Sequence, residues 1–416
     1  MIAENVRNLL ATRSGVSHPR LTYVGDVPVE AGFAGSQVLF RLFFTYPADR
    51  LTIVESNIQA THPERRLPGV RYLGLDFPAC RLLYTRLGRG YAGFLTLSAP
   101  YFGRRLTGRV RHSRPDALVT IAHGFGWMAA MRAASQLKLP LHVIVHDHWK
   151  DCISCGPLAT RRAEMSFARL YRQAASRLCI SPAMAEQYER EFGCPATVLY
   201  PSRSPYAGGI RRLKRPTRPF TFSYAGSVGS RAYAALIGRF GRIVTSAGGR
   251  FALYGNIDSA CLSAAGIDQG MVQLRGTVPA SDFITRLSLE SDALLLPMSF
   301  EREHRSNMSL SFPSKLADYT STGLPIVIWG PPYCSATRWA GEHPGAALAV
   351  DVVDDGAIEV AVRKLMAEPK LCSSLGTAAA RAGDRCFSPA AASRIFLRAI
   401  TAEPAREVAV TGGRHD

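Results

Sequence analysis

Lysine is scarce in this chain, and acid is outnumbered by base. Of 50 basic residues only six are lysine, against 32 acidic residues, so the formal net charge is +18 and the excess is nearly all arginine. Such a balance suits an anionic partner, whether nucleic acid, membrane or charged substrate, although an arginine- and alanine-rich coding bias gives the same numbers. Cysteine is sparse and scattered: nine residues hold a single Cys-x-x-Cys, Cys152 and Cys155. That suggests neither a disulfide framework nor a four-ligand zinc site, and reduced thiols are expected. No run of 18 predominantly apolar residues occurs, so no membrane-spanning helix is expected. The opening MIAENVRNLL lacks the positive end, apolar core and cleavage site of a signal peptide, and the expected location is the cytoplasm.

What is present is an ordinary globular composition. With 416 residues, 47% of them hydrophobic, the chain exceeds one small core, and two domains are the natural expectation. Short runs rich in Val, Ile, Leu and Tyr at 21–27, 51–56, 117–122, 141–147, 177–182 and 197–201 read as strands, with helical stretches at 36–44, 126–139, 162–174 and 182–193. Strands and helices alternating at this spacing predict a parallel sheet covered on both faces. Residues 202–219 then carry three prolines, two glycines and six basic residues without a period, which reads as a linker, placed at 206–219. A second series follows, with strands at 220–226, 250–255, 271–276, 292–298 and 324–330 and helices at 231–248 and 280–291. The expected organisation is an N-terminal domain over 1–205, a C-terminal domain over 220–387, a last helix over 388–402 and a disordered tail over 403–416.

Ligands of open parallel sheets bind at the carboxyl ends of strands. His123, the run His146-Asp147-His148-Trp149, Gly226-Ser227 and Gly255 all fall at such ends. The stretch SFPSKLADYTSTGLPIV (311–327) reads as a helix opening on a small polar residue and a proline and closed by Gly323, with unpaired N–H groups at its start that favour an anion. Each signal alone is weak, since a histidine at a strand end is commonly a hydrogen-bonded structural residue. In their order and spacing, ALVTIAHGFG (117–126), VIVHDHW (143–149), LCISPAMAEQYEREFG (178–193) ahead of LYPS, FSYAGS (222–227), DALLLPMSF (292–300) and SFPSKLADYTSTGLPIV are together more specific. They resemble the retaining glycosyltransferases of family 4 over nearly the whole chain.

The resemblance implies the GT-B fold, two doubly wound Rossmann-like α/β domains facing each other across a cleft, with acceptor bound by the first and nucleotide-sugar donor by the second. It implies transfer of a sugar from a nucleoside diphosphate to a glycan or lipid-linked acceptor, with retention, without metal and without a further cofactor. By the same resemblance Asp318 holds the ribose hydroxyls, while Ser311, Phe312, Pro313 and Ser314 meet the donor's phosphate or sugar beside Gly226, Ser227 and Gly255. Arg231 and Lys315 are expected to supply positive charge to the diphosphate, with a surface ion pair between Lys315 and Asp318 as the competing reading of that lysine. His146 and Asp147 are assigned to orientation and charge stabilisation. Gly35, Ser36 and His123 fall on the acceptor side.

The pattern also departs from the family. Its first acid would stand at position 310, which is Leu310, and Glu301 or Glu303 in the preceding loop are the candidates to replace it; Ser227 stands where a basic residue is common. Other readings of the chain are a sugar-nucleotide epimerase or a phosphorylase on the same architecture, an inactive GT-B scaffold, and a nucleic-acid binder. The last needs aromatics interleaved with basic residues on one groove face, whereas the aromatics here mostly fall in apolar periodic runs. One stretch does interleave them. Residues 81–114 hold eight arginines and no acid among Leu, Tyr and Phe, and Arg104, Arg105, Arg109 and Arg111 are expected to meet an anionic membrane at the inner face, or else to form a solvated surface.

Overall fold

The computed structural model describes residues 18–32, 34–56, 62–75, 82–83, 85–205, 219–228, 230–255, 257, 262, 267 and 271–402. The expected linker, apart from Pro219, and the expected tail 403–416 lie outside the described residues. In the N-terminal half, β1 (Leu21–Gly25), β2 (Leu51–Glu55), β3 (Arg71–Gly74), β4 (Ala117–Ile121), β5 (Leu141–Val145), β6 (Ser176–Cys179) and β7 (Thr197–Val198) form a parallel sheet in the order 3-2-1-4-5-6-7. Helices α1 (Ala34–Phe43), α2 (Gly88–Arg111), α3 (Gly126–Leu137), α4 (Pro157–Gln173) and α5 (Pro182–Phe192) connect them.

The C-terminal half repeats the scheme. Strands β8 (Thr221–Ala225), β9 (Arg250–Tyr254), β10 (Gln273–Gly276), β11 (Ala293–Pro297), β12 (Ile326–Trp329) and β13 (Leu348–Val350) pair in the order 10-9-8-11-12-13. Around them lie α6 (Arg231–Ser246), α7 (Phe283–Glu290), α8 (Arg305–Leu310), α9 (Ser314–Tyr319), α10 (Ser335–Glu342), α11 (Asp355–Ala367), α12 (Pro369–Cys386) and α13 (Pro389–Thr401). The central strands β1, β4, β5, β8 and β11 are buried at every position, which is why each reads as a continuous apolar run rather than an alternating one. In both sheets the order reverses beside the first strand, between β1 and β4 and between β8 and β11. Ligands are received at such switch points, outside the carboxyl ends of the strands.

Two features were not legible in the pattern. Helix α2 contains Gly88, Gly90, Gly93, Pro100, Gly103 and Gly108, which by propensity argue against a helix. Tertiary packing overrides them: Leu95, Ala99, Phe102, Leu106 and Val110 form one buried stripe at helical spacing. A β-carbon on Gly103 would lie 2.5 Å from Cβ of Arg132 in α3, so glycine here lets the two helices meet. The second feature is α13, which follows the C-terminal sheet yet packs on the N-terminal domain. Its Phe396 meets Phe43 and Tyr46 with ring centroids 5.7 and 6.5 Å away, so the last described helix completes the first domain's core. All seven described cysteines are free, and no helix among the described residues is long and apolar enough to cross a membrane.

Candidate functional site

A cavity of about 440 Å³ lies where the carboxyl ends of the two sheets face each other, within the range of about 300–1,000 Å³ usual for small-molecule sites. The first domain contributes Gly35 at the start of α1, Val38, His146 and Asp147 after β5, and Ile180 after β6. The second contributes Tyr224 of β8, Ser227, Ser230 and Tyr233 around the start of α6, residues 296–298 at the end of β11, and Ser311 to Lys315. Of the residues singled out in the sequence, the cavity thus brings together Gly35, His146, Asp147, Ser227, Ser311, Phe312, Pro313, Ser314 and Lys315.

The floor on the first domain is a cluster of histidines and carboxylates. His146 is buried, its Nε2 lies 2.9 Å from Asp147 Oδ2, and its Nδ1 has no partner. Its ring stacks on His123 with centroids 5.3 Å apart. His123 does not line the cavity but stands behind it, its Nδ1 4.0 Å from Asp147 Oδ2. Burial, together with the charge of His146, lowers the pKa of His123 against the opposing pull of Asp147 and Asp26, so this ring is neutral at pH 7. Burial works against the Asp147 carboxylate, yet the hydrogen bond and charge of His146 outweigh it, and Asp147 is held ionised with a lowered pKa. His148, by contrast, is tied to the Tyr188 hydroxyl at 3.1 Å and is structural.

Lys315 supplies the cation of the opposite wall. Its ammonium sits 5.6 Å from the centroid of the Tyr224 ring, and no carboxylate lies within 4 Å of it among the described residues. Its stem lies on Gly226: a β-carbon there would stand 2.0 Å from Lys315 Cε, and Gly226 has φ +148°. Gly255, with φ +135°, backs this turn, since its own β-carbon would stand 2.6 Å from the Gly226 carbonyl oxygen. Only glycine meets both demands, close approach and positive φ. Burial lowers the pKa of Lys315, and the charge of Asp318 offsets this in part.

Asp318 lies apart from the cavity lining, with its side chain buried. Oδ1 lies 2.9 Å from Nη1 of Arg41 and accepts the Ser204 backbone N–H at 3.1 Å, while Oδ2 accepts Nη2 of Arg41 at 3.0 Å. Arg41 comes from α1 and also donates to the Ser202 carbonyl. The carboxylate therefore ties the two domains together through Arg41 and the Ser204 backbone. This removes the Lys315–Asp318 surface pair and frees the lysine for the cavity.

Other residues singled out in the sequence also lie outside the cavity lining. Arg231 is exposed at the first turn of α6 and does not line the cavity. Ser36 is buried and Gly255 lies behind Gly226, so neither lines it. Glu301 and Glu303 are both exposed outside it. Their neighbour His304 does line it, its Nδ1 2.8 Å from the Ser299 hydroxyl, together with Asn307. Sequence reasoning looked for a replacement acid in SFERE and passed over the histidine next to it. Leu310, at the absent acid's position, has its carbonyl bonded by the Ser181 hydroxyl across the domain contact.

The comparisons bear on the fold that carries this arrangement. Residues 40–201 match the family model of the glycosyl transferase 4-like domain. Among solved structures, HepE of Anabaena in complex with UDP and glucose superposes with a TM-score of 0.66 at 12% identity, covering 92% of this chain and 100% of that one. The fold is GT-B. WaaG, a glycosyltransferase involved in lipopolysaccharide biosynthesis, shares this GT-B arrangement with a TM-score of 0.61 at 12% identity over 92% of this chain and 99% of its own. Sucrose-phosphate synthase from Thermosynechococcus elongatus gives 0.62 at 13% identity over 91% and 97%. No curated protein matches the sequence.

Beside the cavity, one trio among the described residues has metal-ligand spacing, which the sequence reading did not anticipate: ligand atoms of His123, Asp147 and Cys152 lie within 4.8 Å of one another, with only Asp147 of the three lining the cavity. Burial pushes the Cys152 thiol up to about 12, so at neutral pH it is protonated and a poor ligand until a cation displaces the proton.

Proposed function

We propose that this protein is a glycosyltransferase that moves a sugar from a uridine diphosphate donor to a glycan or lipid-linked acceptor, with retention of configuration. The observation that carries the reading is Lys315, a cation without a carboxylate partner on the wall of a two-domain cavity, seated against glycines that bring bare backbone to the same spot. A diphosphate is the anion that such a wall accommodates. The glycosyl transferase 4-like match and the UDP in the HepE structure favour this donor class. An epimerase would use a pair of carboxylates, and Asp147 is the single acid lining the cavity among the described residues.

In the proposed reaction the bond from the sugar's anomeric carbon to the leaving phosphate oxygen breaks, and the acceptor oxygen bonds to that carbon on the same face. The acceptor's proton passes to the departing phosphate. Lys315 stabilises the negative charge that develops on the leaving diphosphate. Asp147, ionised and fixed by His146, lies across the cavity, where it orients sugar hydroxyls and stabilises positive charge on the ring. Neutral His123 supports the His146 ring from behind.

Thermal melting with UDP-, GDP- and ADP-sugars tests the donor. A UDP-sugar at a hundredfold excess over its Kd is expected to add about 2.7 kcal/mol of stability, with the other donors inert. Equal melting in all three overturns the donor assignment. Turnover is expected to persist in EDTA, because Lys315 supplies the charge that a metal gives in other transferases. Loss in EDTA with recovery on adding a divalent ion would move catalysis to the trio of His123, Asp147 and Cys152.

A further inference from the structure

Exposed large apolar side chains on a soluble protein are normally scattered singly, and here they are not. Leu87 (67% exposed), Phe94 (51%), Leu97 (63%) and Tyr101 (57%) stand on or at the start of α2, and Leu158 (85%) and Met165 (54%) on α4. Positions 94, 97 and 101 follow the i, i+3, i+7 spacing of one helix face, opposite the buried stripe of Leu95, Ala99, Phe102 and Leu106. The two helices form one surface, since a β-carbon on Gly93 would lie 3.6 Å from Cβ of Ala159.

Arginines ring this apolar surface. Arg86, Arg89, Arg104, Arg105 and Arg111 are exposed on or beside α2, and Arg161 and Arg162 on α4. Arg105 lies over the Tyr101 ring at 5.9 Å. Arg109 does not belong to the ring, contrary to the sequence expectation: its guanidinium turns inward to the Gly74 carbonyl. In parallel strand-helix units the helix N-termini lie at the carboxyl ends of the strands, so Leu87 and Leu158 stand at the end of the domain that carries His123 and His146.

We propose that the face of α2 and the first turns of α4 docks this protein on an anionic lipid bilayer, with Phe94, Leu97, Tyr101 and Leu158 entering the interface and the arginines meeting lipid phosphates. An apolar strip flanked by arginine on one helix is the pattern of a helix lying in the plane of a membrane surface. A nucleic acid would meet the arginines but gives Leu97 and Leu158 no partner. The bound orientation keeps the cleft end of the domain beside the bilayer surface, within reach of a lipid-linked acceptor. That consequence rests on the transferase reading with a lipid-linked acceptor, whereas docking itself does not.

Cosedimentation with phosphatidylcholine vesicles, with and without phosphatidylglycerol, tests the proposal. The full chain is expected to pellet with phosphatidylglycerol vesicles at low salt. Joint replacement Arg104→Gln, Arg105→Gln and Arg111→Gln is expected to weaken this by up to about a hundredfold, since each basic residue near an anionic leaflet is worth about fivefold. The pair Phe94→Ser and Leu97→Ser is expected to abolish the salt-resistant part of binding, with melting temperature unchanged because both side chains are exposed. Pelleting of the serine pair equal to wild type at every salt concentration overturns the proposal. So does failure of the wild type to pellet, and so does concentration-dependent dimerisation that the serine pair removes, which assigns the face to a second copy of the chain. UDP-sugar melting of the same variants separates the two readings: docking can fail while the donor still binds, or persist where no donor binds.

Discussion

Asp318→Ala is expected to destabilise the protein by about 3–5 kcal/mol, the usual cost of breaking a buried ion pair from one side. The reason is Arg41. Its side chain is 7% exposed and faces an Asp318 side chain that is 10% exposed, so removing the carboxylate leaves a guanidinium buried across the domain contact with only the Ser202 carbonyl and Gln37 to meet it. Replacing both partners by apolar side chains is expected to restore most of the loss, because the desolvation penalty of both charges disappears with their attraction. Urea denaturation of Asp318→Ala, Arg41→Met and the combination Arg41→Met with Asp318→Leu measures this directly. Wild-type melting in Asp318→Ala combined with lost donor affinity would return the residue to the ribose role that its sequence position suggested.

Lys315→Met is expected to lower kcat by about 10²–10³, the effect of removing one group aimed at charge that develops in the transition state. Methionine keeps an unbranched apolar stem against Gly226 and Tyr224, so the fold should survive, and the melting temperature is expected not to fall. The pH dependence carries the same signature. Because burial lowers the pKa of Lys315, its charge is lost as pH rises through a value below that of an ordinary lysine, and kcat/KM should fall on its alkaline side through that value. Lys315→Arg is expected to move that limb upward, at reduced rate, since a guanidinium keeps its charge. The linkage to stability has the opposite sign. The folded state binds fewer protons at this lysine than the unfolded state between the two pKa values, so stability rises with pH across that window. A wild-type rate in Lys315→Met would remove the lysine from the chemistry.

The sequence by itself determined the two parallel sheets, because a strand buried on both faces must be a short apolar run, and LTYVG, ALVTI, LHVIV, TFSYA and ALLLP can be little else. It also located the strand ends where His146, Asp147, Gly226 and the stretch 311–315 meet, since parallel topology sends those ends to one side. Helix α2 was out of reach because its glycines and Pro100 oppose a helix locally, and only contact with α3 and α4 makes it one. Charged groups were decided by tertiary structure alone. Local spacing offered Lys315 as the partner of Asp318 three positions away, but a carboxylate goes to the best-positioned guanidinium. That guanidinium belongs to Arg41, 277 residues earlier in the chain. The same contest turned Arg109 inward to a backbone carbonyl and set His304, rather than its acidic neighbours, into the cavity. Apolar periodicity repeats within a few residues and so survives in the sequence, whereas an ion pair depends on which distant side chains the fold brings within hydrogen-bonding distance.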